Sequence, residues 1–245
     1  MPPVRTPAIV LHSFAYGDTS RILRILTPEY GVRSLLARGA RNPKSRFGAA
    51  LEPFTEGEAQ FNLRPNRDLL TLAGFSLIRS RQGIGRDFLA FAGASLAAEL
   101  VLRFATDEPQ PDLYRVLLNG LDRLATAESD PAAATLSVIW AVVSEFGFQP
   151  RMDECIDCGR SLSPDEQARF QADLGGVSCD ACRQPGRPLT SATRMEILHL
   201  CESPAVLPSL SLRSAHGEVL SSFLSAHVLH GRPLRSLPIY MGMLR

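Results

Sequence analysis

The chain has 245 residues, 45% hydrophobic and 21% charged, with a formal net charge of +1. That length allows one large domain or two to three small ones, with enough apolar material to bury real cores. The longest apolar run, Ala132–Val143, is too short for a bilayer span, which needs roughly 18 residues. The first residues, MPPVRTPAIVLHSF, show no apolar core with a small-residue cleavage site, so the chain reads as cytoplasmic with no membrane partner.

The charge is unevenly spread. Residues 1–80 hold ten Arg and one Lys against six acids, whereas residues 81–245 hold fifteen Arg against nineteen acids. A basic head on an acidic body suits contact with a polyanion. The sharpest feature lies between Glu29 and Glu52, where Arg33, Arg38, Arg41, Lys44 and Arg46 meet no acid. That stretch opens as an alternating strand and ends in Gly, Asn, Pro and Ser. Its simplest shape is a β-hairpin arm with an unpaired basic loop, suited to a phosphate backbone.

In chain order, strands are predicted over 8–12, 21–26, 31–37, 54–63 and 69–78. Five short strands with turn residues between them fit a small closed or half-closed barrel. The turn Arg64-Pro65-Asn66-Arg67-Asp68 adds Arg64 and Arg67 to the basic set. Seven of the 17 aromatics fall in these first 80 residues. Most are expected to fill the barrel; Phe47, inside the basic loop, is the exception that could face solvent.

After Gly85 the period becomes helical. Phe88, Phe91, Leu96, Leu100, Val101 and Phe104 mark one helix, and Leu113, Val116, Leu117, Leu121 and Leu124 a second. Asp130-Pro131 reads as an N-cap with proline at the first helical position. The helix it opens runs to Phe146, stops at Gly147 and is apolar nearly all round, as a central buried helix should be. Helical signals resume over 191–200 and 210–230.

Between them, residues 151–188 are polar, loop-rich and carry Cys155-x-x-Cys158 and Cys179-x-x-Cys182. Two such knuckles, each aiming two sulfurs at one point, suit a tetrahedral zinc site. Four protein ligands leave no open position for catalysis, so one structural zinc is expected. Residues 151–185 hold four Arg and seven acids, and a zinc tetrathiolate's −2 would bring them to −5, which disfavours a nucleic-acid-binding finger. Cys201 stands alone and reads as a buried small residue. The chain contains no P-loop, no dinucleotide fingerprint, no H-E-x-x-H and no G-x-S-x-G. His227 and His230 read as ordinary helix residues, and the acid pairs Asp107-Glu108 and Asp153-Glu154 as solvated caps. Catalysis is not expected.

The segment LTPEYGVRSLLARGARNPKSRFGAALEPF, residues 26–54, resembles the N-terminal signature of the RecO family of recombination mediators, as does AIVLHSFAYGDTSRILRILTP before it. The rest is similar by layout. The resemblance implies an α+β multidomain chain: an OB-fold barrel (1–80), an α-helical domain (81–150 and 189–245) and a zinc-binding insert (151–188). It further implies a nucleoid-associated protein that binds single- and double-stranded DNA, anneals complementary strands, engages SSB and, with RecR, helps load RecA. Arg38, Arg41, Lys44 and Arg46 fall on the family's basic stretch. Some family members lack the cysteines, so the shared activity cannot depend on zinc. Two rival readings remain: an adaptor that binds only proteins through the basic hairpin, and a zinc hydrolase.

Overall fold

The computed structural model describes residues 3–64, 67–126, 130–182, 184–202 and 207–244. The chain divides into two compact units, residues 1–86 with 98–126, and residues 87–97 with 127–245. In the first unit, strands β1 (Val4–Tyr16), β2 (Ser20–Thr27), β3 (Gly31–Ala37), β4 (Glu56–Phe61) and β5 (Leu69–Arg79) close a barrel in the order β1-β2-β3-β5-β4. All pairings are antiparallel except β3 with β5. This is the five-stranded OB-fold barrel expected from the sequence. Alternation drives it: Leu23, Ile25, Leu35, Ala37, Ala59, Phe61, Leu70 and Leu72 point inward and share one core with Ala8 and Val10. A bulge between Val10 and His12 shifts the register of β1.

The basic stretch is not a hairpin arm. β3 leads to β4, yet these strands are not neighbours; β3 pairs with β2 and β5, and β4 with β1 and β5. Residues 38–55 are therefore a crossover connection of turns, ending in a 3-10 turn at Gly48–Leu51. Phe47, the aromatic that could have faced solvent, is 5% exposed and belongs to the barrel core with Leu51. The reason is geometric: a loop spanning the barrel must cover its apolar interior, and Phe47 and Leu51 are the loop side chains that join the core to do so. Arg46 lies over its ring at 4.9 Å and donates to the Ala73 carbonyl of β5 at 2.8 Å.

Residues 105–110 pack against the start of β3. Gly31 opens β3 at φ +57, and a Cβ there would lie 2.3 Å from the Thr106 carbonyl oxygen. Only glycine permits both the left-handed turn and this approach, which lets the Val32 amide donate to Thr106 O at 2.9 Å. Helix α2 (Pro111–Leu124) is joined to the barrel by Arg81, whose side chain is almost wholly buried. It donates to Asp122 at 2.7 Å, to the Phe54 carbonyl at 3.0 Å and to Glu56 at 3.1 Å. Phe54 is held at φ +67, a costly conformation for a non-glycine residue that this carbonyl contact helps fix.

Helix α1 (Phe88–Phe104) gives its first half to one unit and its second half to the other. Phe88 and Phe91 lie in this helix as their spacing suggested, on its exposed side; the buried positions are largely alanines with Leu96, Leu100 and Val101. Gly93 is required where α1 meets α3, because a Cβ would fall 1.9 Å from the Thr135 hydroxyl. Helix α3 (Pro131–Glu145) begins at Asp130, whose carboxylate accepts from the Ala132 amide at 3.0 Å, and is buried from Ala132 to Val143. Helices α4 (Ser191–Glu202), α5 (Arg213–Phe223) and α6 (Ser236–Met243) complete the unit. A π-helical turn follows α5 at Leu224–Val228. Trp140 meets Phe223 edge-on at 5.3 Å, and the Tyr240 hydroxyl donates to Ala132 O at 3.2 Å. Helix α6 was not anticipated: Pro238 and Gly242 sit inside its eight residues and mask its apolar period.

The cysteine-bearing segment folds as a small sheet of β6 (Arg151–Cys155), β7 (Ala168–Gln171), β8 (Gly176–Ser178) and β9 (Arg187–Leu189), ordered β6-β8-β7-β9. Arg194 of α4, fully buried, fixes it with no carboxylate among its hydrogen-bond acceptors in the described residues. Its guanidinium donates to the carbonyls of Met152 at 2.6 Å, Glu166 at 3.3 Å and Ser163.

Two stability predictions follow from these anchors. Phe47→Ala should lower unfolding stability by about 3–5 kcal/mol in urea titrations and expose residues 38–46 to proteolysis. Arg194→Leu, which takes the donor from three backbone carbonyls, the buried one of Met152 among them, should cost about 3 kcal/mol in the same measurement.

Candidate nucleic-acid interface and metal centre

The seven basic residues singled out in the sequence fall into two groups, both on the barrel unit. Arg38, Arg41, Lys44 and Arg46 lie exposed on the β3–β4 connection. Arg41 and Arg46 also hold that connection in place: the Arg41 amide donates to Thr19 O at 2.8 Å and its guanidinium to Gly17 O at 3.0 Å, while Arg46 reaches Ala73. A guanidinium has five N–H donors, so one carbonyl contact leaves most of them available for an anion.

Arg33 is not part of this loop. It sits in β3 and lines a cleft of about 810 Å³ with Arg24, Ser34, Arg64, Arg67 and the segment 105–107. Its guanidinium donates to the Asp107 carboxylate at 2.9 Å and the Asp107 carbonyl at 2.7 Å, so Asp107 is a salt-bridge partner rather than a solvated cap. Arg64 and Arg67 are exposed on the β4–β5 connection; Pro65 and Asn66, which complete that turn, lie outside the described residues. Arg24 was not singled out from the sequence. The Nε atoms of Arg24 and Arg33 are buried without a hydrogen-bond partner among the described residues. Alternation was the available signal: Leu23 and Ile25 point into the core, so Arg24 between them must face outward.

In OB-folds the strand 2–3 face and the loops after strands 1 and 4 take oligonucleotides. Here those elements carry the four cleft arginines against two acids, Asp68 and Asp107. Such a surface can hold successive phosphates by charge and by bidentate hydrogen bonds.

The four cysteine sulfurs converge. Cys155 closes β6, Cys158 lies in the following turn, Cys179 follows β8 and Cys182 ends a 3-10 turn at Asp180–Cys182. All four Sγ atoms lie within 4.8 Å of one another, with separations of 3.8 Å (Cys155 to Cys182), 3.9 Å (Cys158 to Cys179) and 3.6 Å (Cys179 to Cys182). These are far too long for disulfides, whose sulfurs lie about 2.05 Å apart. A tetrahedron with metal–sulfur bonds of about 2.3 Å has edges of about 3.8 Å, which these three separations match. The Cys179 amide donates to Cys155 Sγ at 3.3 Å. Backbone hydrogen bonding from Cys182, then the Arg160 guanidinium, lowers the Cys179 thiol to about 6, toward the thiolate a metal requires. Arg160 is itself held by Glu166. These four residues can hold a metal ion. Cys201 stands apart, half-buried on α4, where burial pushes its thiol up to about 12. No described helix is long and apolar enough to cross a membrane.

Residues 1–81 match the family described as Recombination protein O N terminal, and residues 85–238 that described as Recombination protein O C terminal. Among curated relatives, the DNA repair protein RecO of Anaeromyxobacter sp. (strain Fw109-5) is 34% identical over 235 residues, 92% of this chain and 91% of that one. The DNA repair protein RecO of Rubrobacter xylanophilus is 33% identical over 94% of this chain and 92% of its own. That of Geobacter sulfurreducens is 32% identical over 97% of both chains. The chain belongs to the RecO family of DNA repair and recombination proteins, and its barrel is the OB-fold domain of that family.

Proposed function

We propose that this protein is a recombination mediator that works by binding, without a catalytic step of its own. It binds single- and double-stranded DNA through the barrel and anneals complementary strands. Together with RecR it helps load RecA onto single strands coated with SSB. The observation that carries this reading is the arginine-lined cleft on the β2–β3 face, with Arg64 and Arg67 on the β4–β5 connection. The second basic group, on the β3–β4 connection, supports it. Neutralising phosphates on two strands removes the repulsion that keeps them apart and releases their counterions, which favours pairing.

The cysteine centre serves stability in this reading. Zinc is the metal that four thiolates in a tetrahedron suit, and it would tie residues 151–188 into one module. With more acids than arginines around it, that module repels phosphate, so the barrel is the DNA-binding domain and the insert a clamp. When bound, the metal would supply cross-linking energy to a sheet of three- to five-residue strands. Residues 1–80, 81–150 with 189–245, and 151–188 then have separate roles in DNA contact, helical scaffold and clamp. The site of action is the cytoplasm, at the nucleoid.

Two measurements test the proposal. Arg38, Lys44, Arg64 and Arg67 are exposed and show no ion pair among the described residues, so changing all four to Ala should leave the fold intact. It should make the salt dependence of single-strand binding shallower by about 2.8, at about 0.7 per phosphate contact, and slow annealing of SSB-coated strands. An unchanged slope would remove these residues from the interface, and an oligonucleotide left unbound by the unaltered protein would favour the protein-only adaptor. Elemental analysis should find one zinc per chain. Its removal by chelation should loosen residues 151–188 in hydrogen exchange while oligonucleotide affinity is retained.

A further inference from the structure

The outward face of β1, β2 and β3 carries a stripe that the phosphate-binding reading leaves unexplained. Past the Val10/His12 bulge, His12, Phe14 and Tyr16 fall on the solvent side of β1, because their partners across the ladder, Arg24, Ile22 and Ser20, are outward residues of β2. Arg24 and Ile22 in turn oppose Ser34 and Leu36 of β3. The face is therefore built in rows, His12-Arg24-Ser34 and Phe14-Ile22-Leu36, with Tyr16 at the hairpin end. Phe14 is 42% and Tyr16 52% exposed, and neither belongs to the barrel core. The His12 and Phe14 rings lie 5.6 Å apart, tilted by 34°. The backbone positions of alternate residues on a strand are spaced by about 6.7 Å, two residues of strand rise, so the three side chains follow one another along the same face.

What surrounds the stripe says what it meets. At one end, His12 pairs with Arg24 of the cleft. At the other, the turn after Tyr16 accepts two hydrogen bonds from Arg41, which bring the basic β3–β4 connection against it. Aromatic rings are thus flanked by cations on both sides, with the half-buried Ile22 and Leu36 beside them. A duplex shows only its phosphates and groove edges to such a surface, and its base faces are already stacked. A single strand can lay its phosphates on the cations and its bases on the rings. We propose that Phe14 and Tyr16, with His12 beside them, are a base-stacking platform that selects unpaired strands. The inference rests on the DNA-binding reading of the barrel and assigns the part of that surface that recognises bases.

The test compares oligothymidylate with an abasic oligomer of the same length, which has the same charge and no bases. The unaltered full-length protein should prefer oligothymidylate. Phe14→Ala and Tyr16→Ala should each reduce that preference about tenfold, leaving the salt slope and the abasic affinity unchanged. A second measurement does not depend on the alanine variants folding. The chain has a single tryptophan, Trp140, which is buried. The indole introduced by Tyr16→Trp should therefore report the platform directly, with fluorescence quenched by oligothymidylate and not by the abasic oligomer. Equal affinity of the unaltered protein for both oligomers, or an indole blind to bases, would overturn the platform while leaving phosphate binding standing. Binding of neither oligomer would overturn both.

Discussion

The barrel interior has to be closed where β3 crosses to β4, and Phe47 is the side chain that closes it. Its burial with Leu51 turns a run of turn-forming residues into a fixed connection. The charges on that connection are displayed from a surface whose position the core dictates. Without this anchor Arg38 and Lys44 would sit on a flexible loop, and each phosphate contact would carry the entropy of ordering it. Arg46, stacked on the Phe47 ring and bonded to β5, ties the basic loop to the same point. Arg41 ties it to the β1–β2 turn. Core packing and charge display are therefore one arrangement.

The distribution of charge separates the roles of the two strongest sequence signals. The cysteine motif is the more regular pattern and has the more exacting geometry, with sulfur separations of 3.6–3.9 Å. Yet its setting is acidic, and at four ligands a metal there would have no free position for substrate or water. Arg194 reinforces the same conclusion. A buried guanidinium given over to three backbone carbonyls is part of a clamp and is unavailable to a ligand.

Much of this was legible in the sequence because alternation and spacing are local. The strand limits of β3 are recovered as read, and the Asp130 cap of α3 is visible as a dipeptide. What was not legible depends on strand order. The parallel pairing of β3 with β5 makes residues 38–55 a crossover, and no local pattern distinguishes that from a hairpin. The same pairing brings β5 toward β3, so that Arg64 and Arg67, just before β5, line one cleft with Arg33. Phe47 looked exceptional because its neighbours are polar, but burial is decided by what the loop must cover. Phe88 and Phe91 mark their helix correctly, but spacing alone does not say which side packs: the close approach of α1 to α3 at Gly93 selects small residues for the packed face. The exposure of Phe14 and Tyr16 required the bulge, since one extra residue decides which parity of β1 faces water.

The state of the cleft arginines bears on how readily it accepts an anion. Arg33 is already engaged by Asp107, but that carboxylate is 68% exposed, and a pair of this kind is worth about 1 kcal/mol or less. A phosphate that takes two guanidinium N–H groups at once offers a stronger, charge-assisted contact and can displace it. Arg24 opposes less resistance still, because it lines the same cleft and makes no ion pair among the described residues, so an arriving phosphate has no carboxylate to displace from it. Arg24 also stands in register with His12, at the edge of the aromatic stripe. In the proposed mode of binding, phosphate and base recognition would thus meet at one β-sheet position, from which the register of a bound strand could be set.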